Sequence, residues 1–166
     1  IDRRDIDLGD LRLNISEASN VEAIRAALGS QNERQVVYAL DMLASIEDAK
    51  LLHAISPLLS HPSAGVRRSA VRALQSHGDE TLAPDAEALL KDDDPEVRVE
   101  AVLFLLRKVE GDPGKRIQGY LKNPDVRVRA AVVGCLAMYG TPGEKALIGE
   151  EVVQALLNHT GEGAFI

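Results

Sequence analysis

Three stretches of this chain are near copies of one another. "VRRSAVRAL" (66–74), "VRVEAVLFL" (97–105) and "VRVRAAVVG" (126–134) match at Val66, Val97 and Val126, then at Arg67, Arg98 and Arg127, then at Ala70, Ala101 and Ala130. The step from Val66 to Val97 and the step from Val97 to Val126 are nearly equal. A fainter copy, "ERQVVYAL" (33–40), lies one comparable step upstream of "RRSAVRAL". A period of about 30 residues constrains the fold more than any single motif. It signals a stacked array in which one supersecondary unit buries its apolar face only against its neighbours.

The unit is helical. Val97, Ala101, Phe104 and Leu105 recur at i, i+4, i+7 and i+8, the stripe of a helix and not the alternation of a strand. Asp94 before Pro95 places a good N-cap residue ahead of a proline at the first helical position, and Asn123-Pro124 repeats the arrangement. Glycines are expected to stop these helices at Gly78, Gly111 and Gly140. Shorter helices are expected before each copy, over 20–28, 48–59, 81–90 and 114–122, with Pro57 kinking or shortening the second of them. The expectation is an all-α solenoid of about four helical hairpins plus a terminal helix over 142–159. Residues 1–18 are either a linker or a strap over the first hairpin, 19–160 form the repeat domain, and 161–166 are a frayed end.

This arrangement of Pro, Val-Arg and Ala at the start of a second helix resembles the HEAT repeat, in particular the short HEAT-like variety of about 30 residues in bacterial proteins. The resemblance covers residues 20–140 and departs at Glu33, which stands at the Arg67 position, and at Gly134, which stands at the Leu105 position. It implies an armadillo-type superhelix and a scaffold role. More weakly, "IDRRDIDLGDLRLNIS" followed by "SQNERQVVYALDML" is similar to the HEAT segment attached to bacterial relatives of the ATP/ADP translocases. That likeness implies a cytoplasmic appendage, tethered to the inner membrane through a transporter-like domain outside this chain.

Composition narrows the partners. The net charge is −7 and there are two Phe, three Tyr and no Trp, so neither a phosphate backbone nor stacked bases find a natural surface. The middle, residues 61–140, is balanced with twelve basic and twelve acidic groups, which suits a surface of ion pairs. No apolar run approaches a membrane span. His53, His61, His77 and His159 share no helical face at i, i+4, so neither a metal nor another cofactor is expected. The single Cys135, within "VVGCLAMY", reads as a small buried hydrophobe. "GDPGK" (111–115) lacks the spacing of a phosphate loop and reads as a connector.

Two constellations remain. Arg67, Arg98 and Arg127 read as a ladder of junction arginines facing acids of adjacent units, Asp94 and Asp125 among them, since a guanidinium fork suits a carboxylate. An anion site built from the same arginines is the competing reading. The HEAT likeness places second helices on the concave face, making Ser69, Arg72, Glu100, Leu103, Arg107, Arg129 and Val132 the residues expected to contact a partner, with Leu103 and Val132 exposed. A Glu100–Arg129 ion pair across the repeat boundary is the simpler account of that pair. The functional expectation is a non-catalytic module docking another protein or flanking domains of its own polypeptide. The alternative is a HEAT-like enzyme or nucleic-acid binder of the DNA glycosylase or bilin lyase kind.

Overall fold

The structure is a computed structural model, and it describes residues 18–43, 53–77 and 80–149. These residues form eight α-helices: α1 (Ala18–Leu28), α2 (Glu33–Leu43), α3 (Ala64–His77), α4 (Ala83–Ala88), α5 (Pro95–Arg107), α6 (Pro113–Leu121), α7 (Val126–Tyr139) and α8 (Pro142–Lys145). A 3₁₀ helix (Ser56–Ser60) precedes α3, and 3₁₀ turns flank α4 at Glu80–Leu82 and Leu89–Lys91. No strand occurs among the described residues. The long helices α2, α3, α5 and α7 stack side by side in chain order, and the shorter elements lie against them in a second layer. This is the expected α-solenoid of helical hairpins.

The repeat is more regular than the sequence alignment suggests. The stacked helices begin at Glu33, Ala64, Pro95 and Val126, and every step between these starts is identical. The third copy therefore sits two positions further along than the Val-Arg match places it, and in the first copy Glu33 stands level with Ala64 and not with Arg67. Val128, fully buried, is the counterpart of Val66 and Val97, whereas Val126 is only partly buried and Ala130 is exposed. The motif reads "VRVR" at this point, and the second Val-Arg pair is the structural one.

Burial follows the helix stripe. Val97, Ala101, Phe104 and Leu105 of α5 are buried, as are Val128, Val132, Cys135 and Leu136 of α7. Both sets belong to one continuous core with Ala70, Val71 and Leu74 of α3 and Val36 and Leu40 of α2. Gly134 consequently aligns with the partly buried Leu103, and Leu136 fills the Leu105 place. The short helices and turns add Ile55, Leu58, Ala86, Leu90, Ile117 and Leu121 to that core.

The ends of the elements obey local rules, with departures at three of the expected helices: within 48–59 the described residues form a turn and a 3₁₀ helix in place of an α-helix. Asp94 and Asp125 cap α5 and α7, accepting from the N–H groups of Glu96 and Val97 and of Arg127 respectively. Pro57 lies in the first turn of the 3₁₀ helix Ser56–Ser60, and Pro84 in the first turn of α4. The 81–90 helix is broken into a 3₁₀ turn, α4 and a second 3₁₀ turn, so only its middle is α-helical. The expected terminal helix is α-helical only over Pro142–Lys145. Beyond it Leu147 and Ile148 donate to carbonyls three positions back, a tightened turn, and 150–159 lie outside the described residues.

Of the three glycines, Gly140 is the C-cap of α7, Gly78 lies outside the described residues, and Gly111 sits in the α5–α6 connection. Gly111 has φ +124°, a conformation side chains avoid. A Cβ on Gly140 would approach the Leu136 carbonyl oxygen to 2.5 Å. Gly140→Ala should therefore move the chain's exit toward α8 and lower the Tm by several degrees, whereas Gly143→Ala, with open space around it, should not. Thermal melts of the two variants compare them directly.

Candidate functional site

Each turn into a stacked helix from α3 onward is closed by an arginine of that helix. Arg67 Nη1 donates to the carbonyls of His61 and Pro62 at 2.8 and 2.9 Å. Arg98 Nη1 does the same to Asp92 and Asp93 at 2.6 and 2.9 Å, and Arg129 Nη1 to Asn123 and Pro124 at 2.6 and 3.0 Å. The ladder is thus Arg67, Arg98 and Arg129. Arg127 is outside it: in the register of the helix starts it takes the place of Glu96, stays exposed, pairs with Asp125 of its own turn and lies 3.6 Å from Asp93 of the preceding unit. The side chains of His61, Asp92 and Asn123 brace the same turns, accepting from the N–H groups of Ser63, Asp94 and Asp125 at 3.1, 2.9 and 2.9 Å.

At the turns, the buried acid that crosses a junction is Asp92, in place of the expected Asp94 and Asp125, which spend their carboxylates on caps. Arg67 Nε and Nη2 grip Asp92 Oδ2 and Oδ1 at 2.7 and 2.8 Å, a bidentate pair. Burial pushes the Asp92 carboxyl up, but the hydrogen bonds from Arg67 and the Asp94 N–H outweigh it and hold it below its ordinary value. One repeat on, Asn123 stands where Asp92 does, and Arg98 Nε is buried without a hydrogen-bond partner. One junction carries a buried bidentate lock, and the next only a long, exposed ion pair between Arg127 and Asp93 at 3.6 Å.

The stacked helices present a groove of about 250 Å³, lined by Arg68 and Arg72 of α3, Pro95, Glu96, Val99 and Glu100 of α5, and Met138 and Tyr139 of α7. Glu100 is the buried acid of this surface. It accepts from Arg72 Nε at 2.8 Å on one oxygen and from Gln75 Nε2 at 2.9 Å on the other. The Glu100–Arg129 pair does not form, because Arg129 closes its own turn and Arg72 reaches Glu100 from the other side. The hydrogen bond from Arg72 to Glu100 raises the guanidinium pKa further, so Arg72 stays protonated at any physiological pH. Arg68 pairs with Glu96 next to it. Met138 and Tyr139 are 60% and 48% exposed, the large hydrophobics most open to solvent among the described residues.

The seven residues expected on the partner face divide accordingly. Arg72 and Glu100 line the groove. Ser69 and Val132 are buried, since the stripe that packs against neighbouring helices is wider than the sequence pattern implies, and Leu103 is partly buried against the core. Arg129 is committed to its turn. Arg107 is exposed at the end of α5, where it pairs with Glu144 of α8, its Nη2 donating to Oε2 at 2.7 Å, and also reaches the Tyr139 carbonyl at 3.3 Å. Sequence reasoning misses Arg68, Glu96, Val99, Met138 and Tyr139 as a set. The register counted from the helix starts brings Met138 level with Arg107 and is the signal that points to it.

Burial pushes the Cys135 thiol up to about 11, so it stays protonated and inert as a nucleophile. No group of three or more His, Cys, Asp or Glu able to hold a metal occurs among the described residues, and no described helix is long and apolar enough to cross a membrane. The groove sets paired charges around an apolar floor.

Family comparison reaches the same architecture. The model for HEAT repeats matches residues 21–107 and again 86–162. The chain belongs to the HEAT-repeat family. No curated protein matches it significantly. Among solved structures, this HEAT-repeat chain is similar to the crystal structure of an engineered protein, a Northeast Structural Genomics Consortium target. The two share 20% identity and a TM-score of 0.52, with 86% of this chain and 68% of that one covered, which speaks to the fold alone.

Two outcomes check the junctions. Asp92→Asn should cost about 2–3 kcal/mol in denaturant unfolding by leaving Arg67 without its carboxylate, whereas Asn123→Asp should raise the midpoint by giving Arg98 one. The hydrogen bond from Arg107 holds the Glu144 carboxyl at about 2, against an ordinary 4.5. Because the folded value lies below the unfolded one, this pair's stabilisation is complete above about pH 4.5 and is lost as pH falls toward 2. The acid limb of Tm against pH should therefore be shallower in Glu144→Gln than in the parent chain.

Proposed function

We propose that this chain is a non-catalytic docking module whose groove across α3, α5 and α7 holds another protein, or a neighbouring domain of its own polypeptide. HEAT repeats generally mediate protein–protein interaction, and the observation carrying the reading here is the exposure of Met138 and Tyr139. Both flank Val99 in the groove, while the charged groups beside them are already paired. Apolar side chains held open beside satisfied ion pairs form a small apolar centre with a polar rim, the usual anatomy of a recognition patch. At about 250 Å³ the groove is below the size of most small-molecule pockets and suits one or two side chains of a partner.

The setting suggested by the segment likeness is cytoplasmic, with the module tethered to a membrane through a transporter-like domain outside this chain. Its partners then include the flanking domains of that polypeptide. Co-expression of the tagged 1–166 chain with those flanking domains tests the proposal. The parent chain should retain them, and Met138→Glu/Tyr139→Ser should lose most of the bound fraction while keeping its circular dichroism and Tm. Equal retention by the variant, or none by the parent, sinks the reading.

A further inference from the structure

We infer that the groove recognises an acidic, apolar linear peptide, with a bulky side chain seated on Val99, Met138 and Tyr139 and an adjacent carboxylate on the guanidinium groups of Arg72 and Arg68. The inference rests on the docking reading above and names the chemistry of the partner. Its basis is an inventory of hydrogen-bonding capacity. Both oxygens of Glu100 are taken, one by Arg72 and one by Gln75. Glu96 is held by Arg68. The acceptors of the groove are thus largely engaged, and its donors are not. Arg72 spends Nε on Glu100 and remains 53% exposed along its side chain, while Glu100 is only 9% exposed, so the positive member of that pair faces solvent. Arg68 Nε has no hydrogen-bond partner but is sealed from solvent, so what Arg68 turns to the groove is the remainder of a side chain 36% exposed.

Unspent guanidinium donors beside an apolar floor call for an acceptor attached to an apolar group, and a planar carboxylate matches the fork. A dianionic phosphate fits less well. The Glu96 carboxylate is 66% exposed in the same groove, and its repulsion grows with ligand charge. A basic ligand meets two arginines. The Tyr139 ring and the Met138 thioether supply the adaptable, polarisable surface on which Leu, Ile or Phe side chains pack well.

The test uses the 1–166 chain and three fluorescein-labelled peptides with a central Leu-Phe pair. They are identical except that the two residues flanking the pair are Asp, Asn or Lys. Fluorescence polarisation at low salt should show the Asp peptide binding about tenfold tighter than the Asn peptide and more weakly as salt rises. The preference should shrink in Arg68→Gln and vanish in Arg72→Gln/Glu100→Gln. The double substitution keeps a neutral hydrogen-bonded pair, so no buried carboxylate is stranded. Met138→Glu/Tyr139→Ser should weaken all three peptides.

Equal binding of the three peptides, still lost in the Met138→Glu/Tyr139→Ser variant, overturns the acidic preference and leaves the docking site standing. Tighter binding of the Lys peptide, an Asp preference that survives both arginine variants, or no binding of the Asp peptide up to about 1 mM overturns the inference. The flanking-domain experiment then decides the docking reading on its own.

Discussion

An arginine reaching back over the N-terminus of its own stacked helix is the interaction on which the rest of this molecule depends. Two carbonyls of a tight turn converge on one Nη1, and the turn can then be short, buried at its edge and alike from unit to unit. The backbone groups of such a turn need partners, and one planar donor group satisfies two of them. With the turn fixed, the following helix starts in a set direction. Successive apolar stripes then meet at a constant register and make one core from Ile24 to Leu136.

Between units the same arginine has a second task, and there the copies diverge. Arg67 carries its fork on to Asp92, while Arg98 meets a repeat in which asparagine has replaced the aspartate. Stability in a stacked array is close to a sum over neighbouring units. The difference between the two junctions is therefore local, and it falls within the span of the groove. One groove wall, α3, is ionically fastened to the unit that carries the floor on α5. The opposite wall, α7, is held by apolar packing, by the exposed Arg127–Asp93 pair, and by Arg107, which bonds Glu144 in the short α8 and the Tyr139 carbonyl.

The fold was legible because the repeat, the caps and the helical stripe all point one way. The register of the third copy was not. "VRVR" offers two Val-Arg pairs, and string matching takes the first, while packing takes the one whose valine stands one helical turn before Val132. That slip moved Arg127 onto the ladder and Arg129 off it. The groove was half legible. Arg72 and Glu100 stand out as charged residues on a helix face, but the burial of Glu100 depends on Arg72 and Gln75 arriving from α3, which no local pattern encodes. Met138 and Tyr139 read as the apolar end of a helix, and only the stacking shows that nothing among the described residues covers them.

An identical step between four successive helix starts makes the repeat the natural unit in which this chain is counted. Loss or duplication of a whole unit keeps every helix facing its neighbour and changes only which junction residues meet. An insertion or deletion of one position within a helix has no such freedom, for it rotates everything downstream by about 100° around the helix axis. The chain is therefore permissive to changes counted in whole repeats and intolerant of those counted in residues.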